Sequence, residues 1–295
     1  MKVRIAVAPG TGSFDPASFV ALLDALEAGG VDTLWLSDVP LGPSIDPGVG
    51  LAFAAARTSR LKLGANVVPI GRNPMLLARE LAQLDQLSGG RLLLSIVPGI
   101  GRPAERTALG IGQANRGHYL DEVIPLLRRW WTGETVEHRS ERWHFEGIAV
   151  RPQPVQDPLE LWLGGMGPVA LERAGRLGDG WLGAALTPPE AGRARQAIQA
   201  AAARAARVVD PEHFGMSVPY ARRDPGAAAF AALLERRPQI DPSAILPVGE
   251  QAVRGLLEDY VAEGISKFVL RSVLPVADWD DEVAWLAGSV LGVQT

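Results

Sequence analysis

The stretch Leu61–Gly99, LKLGANVVPIGRNPMLLARELAQLDQLSGGRLLLSIVPG, decides the fold. It divides into strand, loop, helix, tight turn and strand, a complete βαβ unit. Leu61–Val68 is apolar and extended. Asn73-Pro74 supplies an N-cap side chain followed by proline at the first helical position. Met75, Leu76, Leu77, Leu81, Leu84 and Leu87 then recur at three- and four-residue spacing, which predicts one apolar helical stripe. Gly89-Gly90 ends that helix where a left-handed residue is needed. Leu92–Val97 is apolar on both faces, as a strand buried in a parallel sheet must be. Each strand runs into a loop of special composition, Asn66 to Asn73 and Pro98 to Arg106. Such strand-end loops are where α/β folds build their sites.

The same alternation extends in both directions. Strands are predicted at Val3–Ala8, Thr33–Ser37, Leu159–Leu163, Gly180–Leu182, Phe214–Tyr220 and Lys267–Arg271. Helices are predicted after Asp15-Pro16 and at about Val49–Thr58, Gly117–Trp131, Pro168–Leu177, Pro188–Val208, Glu250–Glu263 and Asp278–Leu291. Thr132–Pro158 is irregular, with extended pieces at Thr135–Glu137 and Arg142–Phe145. Eight strands with intervening helices over 295 residues predict a (β/α)8 barrel in preference to an open doubly wound sheet. No repeat or linker divides the chain, so residues 1–295 are expected to form a single domain with an insertion at 132–158.

Composition narrows the chemistry. The chain is 47% hydrophobic and 21% charged, with a net charge of −4 and no basic block, which argues against nucleic acid as the partner. Absence of cysteine excludes disulfides, thiolate metal sites and cysteine nucleophiles. His118, His138, His144 and His213 show no metal-ligand spacing, so no metal site is expected. No apolar run approaches the ~20 residues of a membrane span, and Met1-Lys2 leads directly into a strand rather than a signal peptide. A cytoplasmic enzyme acting on a small molecule is the expectation. GxSxG, HExxH and P-loop motifs are all missing.

Two places carry chemistry by residue type. Gly164-Gly165-Met166-Gly167-Pro168 follows a strand and opens a helix; backbone N–H groups and the helix N-terminus could meet an anion there, or the segment could be a tight turn and nothing more. Asp38 ends the second strand, where a carboxylate serves either the barrel mouth or the next turn. Arg102 and Arg106 follow the fourth strand, and arginine suits phosphate or carboxylate, although solvated loop arginines are common. His118 reads as a helix-start surface residue. Trp130, Trp131, Trp162 and Trp181 read as packing between barrel and helices.

Four segments together resemble the bacterial luciferase-like flavin and deazaflavin oxidoreductases: Val31–Asp38, Leu63–Gly99, Tyr119–Gly133 with Arg151–Val155, and Leu161–Trp181. The resemblance implies a (β/α)8 barrel whose insertion covers the cofactor-bearing mouth, and it implies a homodimer. It implies a cofactor phosphate near Gly164, Gly165, Met166 and Gly167, and the cofactor's ring or phosphate edge along Pro98, Gly99 and Ile100 with Arg102 nearby. It also implies a non-proline cis peptide at Asn66-Val67 supporting the ring. Two departures stand out: Val39 and Ile100 occupy places where deazaflavin relatives often carry a histidine and an acidic residue. The sugar-phosphate chemistry of those relatives is therefore not expected, and the mouth suits an apolar or conjugated substrate. The preferred reading is hydride transfer between the deazaflavin coenzyme F420 and such a substrate, with Asp38 or a bound water as the proton-handling group and Asp38 also among the cofactor contacts. The alternatives are an FMN-dependent monooxygenase using O2 and a separate flavin reductase, and a flavin-binding protein without turnover. In either enzymatic reading, a flavin or F420 reductase is a candidate partner.

Overall fold

The computed structural model describes residues 1–10, 12–99, 101–111, 115–235 and 237–295. In the opening stretch, β3 (Lys62–Val67), α3 (Pro74–Ser88) and β4 (Leu92–Ile96) form the expected unit. Asn73 Oδ1 accepts from the N–H groups of Met75 and Leu76, and Gly89 closes the helix at φ 67°. Ahead of them lie β1 (Arg4–Ala8), α1 (Pro16–Ala28), β2 (Thr33–Ser37) and α2 (Pro47–Arg57). Asp15 and Asp46 cap the two helices through their carboxylates.

After β4 the chain forms α4 (Pro103–Ala108), which sequence periodicity does not announce, and α5 (Arg116–Trp131). The insertion folds as β5 (Val136–Arg139) and β6 (His144–Ile148), an antiparallel pair. It lies along α5: Phe145 packs edge-on to Trp130, and His138 Nε2 is 2.8 Å from a Glu122 carboxyl oxygen. Then follow β7 (Leu161–Gly164), α6 (Pro168–Leu177), β8 (Gly180–Ala184), α7 (Pro188–Arg204) and β9 (Phe214–Tyr220). The chain ends with α8 (Ala227–Leu234), α9 (Glu250–Ala262), β10 (Lys267–Ser272) and α10 (Trp279–Ser289).

Eight strands close a parallel barrel in the order β1-β10-β9-β8-β7-β4-β3-β2. The (β/α)8 expectation is met. Two cores result from the two-residue alternation of each strand. Outward residues such as Ile5, Leu34, Leu63, Leu94 and Phe268 pack beneath the helices. Inward residues Ala6, Ala8, Trp35, Trp162, Leu182 and Val269 form a smaller cluster inside the barrel. Trp35 fits because residue 64 is glycine: a Cβ there would lie 2.1 Å from its ring.

Candidate functional site

The mouth of the barrel, at the C-terminal ends of the strands, opens into a cavity of about 680 Å3. That volume lies within the range of small-molecule sites. Its floor is Trp35, and its walls come from the loops after β1, β2 and β4, from α4 and from β10. Polar side chains cross the floor in register: Ser37 pairs with Asn66 on the neighbouring strand, and Asn66 with Ser95 on the next. Asn66 Nδ2 donates to Ser37 Oγ at 3.0 Å. Asn66 Oδ1, Ser95 Oγ and Trp35 Nε1 are buried with no hydrogen-bond partner among the described residues. Buried polar atoms are ordinarily satisfied. Asn66 and Trp35 line the cavity, where a polar ring edge would complete their orphaned atoms; Ser95 lies beneath that lining.

Asp38 borders this cavity with its side chain 5% exposed. Its Oδ2 accepts from the Val68 N–H at 3.1 Å and from an Arg72 guanidinium nitrogen at 2.9 Å. Burial raises its pKa above the ordinary carboxylate value, and Arg72 opposes that rise. Asp38 lines the mouth and also the groove between α2 and α3, and its carboxyl braces the loop after β3. Val39 lines the mouth, as does Arg271, which donates to Ser217 Oγ at 3.1 Å.

Two other residues beside the loop after β4 escape sequence reasoning. Glu105, on the first turn of α4, is 4% exposed and lines the cavity beside Arg102. Its Oε1 lies 3.5 Å from the Gly101 N–H. Arg116 donates to the carbonyls of Pro98 at 2.9 Å and Gly99 at 2.6 Å. It therefore fixes the loop that leaves β4. The only sequence signal was an acid three residues into a proline-led turn for Glu105; nothing local announces Arg116's partners.

On the other side of that loop is an open cleft of about 720 Å3. It is lined by Pro98, Arg106, Arg116, His118, Arg173 and the start of α6 at Gly167 and Pro168. Gly167 caps α6 with no side-chain hydrogen bond, which leaves backbone donors and the positive helix end directed at the cleft. Trp181 Nε1 donates to the Gly165 carbonyl at 2.8 Å and holds the turn. Gly165 has φ +117°, a conformation that favours glycine, and a Cβ there would also approach Ala170 Cβ to 2.7 Å. Beside Gly167 there is open space. Arg173 is already paired to Asp121 at 3.0 Å, so the cleft carries both signs of charge.

The structure brings together Asp38, Asn66, Gly99 and Arg102 around the mouth, and Pro98 and Gly167 around the cleft. Gly164 sits inside the barrel rim, where a Cβ would meet Val97 at 2.7 Å. Met166 is 44% exposed on the turn, outside the lining of either space. Val67 faces outward, into the groove between α2 and α3. Ile100 lies outside the described residues. One expectation is corrected: the Asn66-Val67 peptide is trans, and among the described residues the cis bonds are Arg151-Pro152 and Asp157-Pro158. The reason is visible in the ladder. The Asn66 carbonyl accepts from the Asp38 N–H and the Val67 carbonyl from the Val97 N–H, at 2.9 and 3.0 Å. Regular pairing thus continues through the bond, and nothing compensates the ~3–4 kcal/mol of a non-proline cis peptide.

Residues 1–267 match the family model of luciferase-like monooxygenases. The chain is 31% identical over 180 residues to an F420-dependent glucose-6-phosphate dehydrogenase of Kineococcus radiotolerans, covering 57% of this chain and 52% of that protein. It is 30% identical over 200 residues to an FMNH2-dependent dimethylsulfone monooxygenase of Pseudomonas fluorescens, covering 67% and 54%. These matches span about half the length of the curated relatives. Among solved structures, an F420-dependent secondary alcohol dehydrogenase superposes over 100% of both chains with TM-score 0.84 at 18% identity. At that identity the likeness speaks to the fold.

Proposed function

From a chain that belongs to the luciferase-like monooxygenase family, we propose an oxidoreductase that transfers hydride between coenzyme F420 and an organic substrate held in the barrel mouth. One observation carries the reading: cavity and cleft flank the same short loop. Val97 and Gly99 line the cavity and Pro98 lines the cleft. A ligand with a flat polar head and an anionic tail fits across that loop. Its head would complete Asn66 Oδ1 over Trp35. Its phosphate would meet the α6 N-terminus, with Arg106, Arg116 and His118 around it. When bound, the deazaflavin supplies the hydride-accepting carbon, and the protein supplies position and electrostatics. Asp38 holds or releases a proton at the mouth, and the Trp35 floor with Val39, Leu41 and Ile45 keeps water away from the reacting atoms.

F420 is preferred because several relatives that match by sequence bear that cofactor in their names. The FMN monooxygenase with a reductase partner is supported by other relatives. Titration of the cofactor-free protein with F420 and with FMN, followed by tryptophan quenching, separates the two. Tight F420 binding with oxygen-independent turnover is expected; FMN binding alone, with turnover that needs O2 and a reductase, would replace the preferred reading. The proposal includes a homodimer. Val49 on α2 and Leu87 on α3 are exposed, apolar and line one groove, and Phe53 and Leu76 are exposed on the same two helices, which supports that assembly. Light scattering is expected to give twice the chain mass, reduced to one by charged substitutions at Phe53 and Leu87.

A further inference from the structure

The Asp38 carboxyl is held by one of its two oxygens. Oδ2 accepts from both the Val68 N–H and Arg72, and Oδ1 accepts from nothing among the described residues. Oδ1 is therefore the oxygen left for a proton. Arg72 in turn is contested by three carboxylates: Asp38 at 2.9 Å, Asp46 at 3.5 Å and Glu80 at 3.9 Å. Its side chain is long and 35% exposed, so its own rotamer freedom does not select among them. The selection comes from the backbone. The Arg72 carbonyl accepts from Tyr119 Oη at 2.8 Å, and the Arg72 N–H donates to the Pro69 carbonyl at 3.0 Å. Tyr119 is buried on α5, and the insertion walls its ring. Trp143 meets that ring edge-on at 6.5 Å, and the Arg142 guanidinium lies 5.9 Å from its centre. Burial pushes the Tyr119 hydroxyl up to about 12, so it remains a donor throughout the neutral range.

We propose that Tyr119 and Arg72 are positioning residues for the reaction: Tyr119 anchors the loop after β3, and the anchored Arg72 holds Asp38 by Oδ2 and leaves Oδ1 to exchange the proton. This rests on the proposed place of Asp38 in the reaction, whereas the anchoring itself is tested without cofactor. Asp46, the N-cap of α2, works against it. Its charge favours protonation of Asp38, and it draws on the same guanidinium. Glu80 draws on that guanidinium from α3. Arg102, Glu105 and Arg271 are the other charged residues that line the mouth with Asp38.

Carboxyl-carbon NMR of the cofactor-free protein, with the Asp38 signal assigned by Asp38→Asn, reads the proton on this residue directly. Arg72→Gln is expected to raise the proton affinity of Asp38 about tenfold, since an opposite charge in contact is lost. Arg72→Lys keeps the cation and should restore most of that change. Tyr119→Phe keeps the ring and loses only the anchor; a rise of at least about twofold is expected. Asp46→Asn preserves the α2 cap and should move Asp38 the opposite way, which a general loosening of the loop would not do. In each variant the pH profile of kcat, for oxidation of reduced F420 by the quinone menadione, should shift with the NMR midpoint. An Asp38 midpoint that stays at the wild-type value in Arg72→Gln or Tyr119→Phe, or that does not fall in Asp46→Asn, would overturn the inference. The mild changes Arg72→Lys and Asp46→Asn keep the test decisive if another variant does not fold. Midpoints that move as expected in a protein that does not oxidise reduced F420 would instead defeat the proposed function and leave the anchoring of Asp38 standing.

Discussion

The Asp38 carboxyl is pulled two ways. Burial favours its protonated form, and Arg72 at 2.9 Å favours its charged one; burial prevails, so its pKa is raised. A folded pKa above the unfolded value means that the native state loses stability as pH rises through the shifted value. Above the shifted value that cost is present in full. Asp38→Asn removes it and keeps an oxygen for the Val68 N–H. Arg72 retains Asp46 at 3.5 Å and Glu80 at 3.9 Å. Stability at pH 7 is therefore expected to hold or rise slightly in urea titration. Turnover is expected to drop roughly 10²-fold, the range general acid–base groups supply, with cofactor affinity near that of the wild type. The pH–rate profile should lose its corresponding limb. Wild-type turnover in the variant would reduce Asp38 to a brace between the loops after β2 and β3.

Among elements, the β7–α6 turn offers the sharpest test because its glycines are not equivalent. Gly165→Asp would strain a positive-φ backbone and crowd Ala170, so its effect would mix folding with binding. Gly167→Asp meets open space and places a carboxylate at an N-cap that has no side-chain hydrogen bond. Aspartate is among the best N-cap residues, so thermal stability should hold or improve by a few tenths of a kcal/mol. The same carboxylate would occupy the anion position. Cofactor affinity is expected to fall at least ~10-fold, about 1.4 kcal/mol. Unchanged titration in this stable variant would move the phosphate away from α6. How much of this was legible follows from distance along the chain. The Asn73 cap, the Gly89 stop and the α6 start at Pro168 are local signals, and all stand where the sequence puts them. α4 spans six residues, too few to display a helical period. Arg116 was illegible as a loop clamp because its carbonyl partners lie 17 and 18 positions away. Ser95 was a signal left unused, one polar residue inside the strand LLLSI.

The barrel as a whole is tied at the end opposite the mouth by an ionic hub built around the largely buried pair Asp32–Lys267. Asp32, just before β2, lies 3.0 Å from Lys267 on β10, 3.2 Å from Lys62 on β3 and 3.5 Å from Arg4 on β1. Lys267 Nζ also donates to Thr33 Oγ at 2.8 Å. These four strands include the β1–β10 pairing that closes the sheet, so the hub joins the two ends of the chain's barrel. Burial lowers the Lys267 pKa to about 8 although Asp32 pulls the other way, and its cation neighbours hold Asp32 at about 2. The signs follow directly. Asp32 contributes stability above its unfolded value near 3.8 and loses it as pH falls through 2. Lys267 costs stability in full below 8, and the cost fades as pH rises toward 10.5. Asp32→Asn would leave the lysine buried without its carboxylate. Removing one partner of such a pair costs about 3–5 kcal/mol, a fall in Tm on the order of 10 °C for a chain of this size. The variant should regain part of that loss at alkaline pH, where Lys267 sheds its proton, and should lack the acid-limb decline that Asp32 gives the wild type. Urea midpoints measured from pH 3 to 10 decide the matter. A variant as stable as the wild type across that range would mean that the apolar packing of the barrel closes it without the hub.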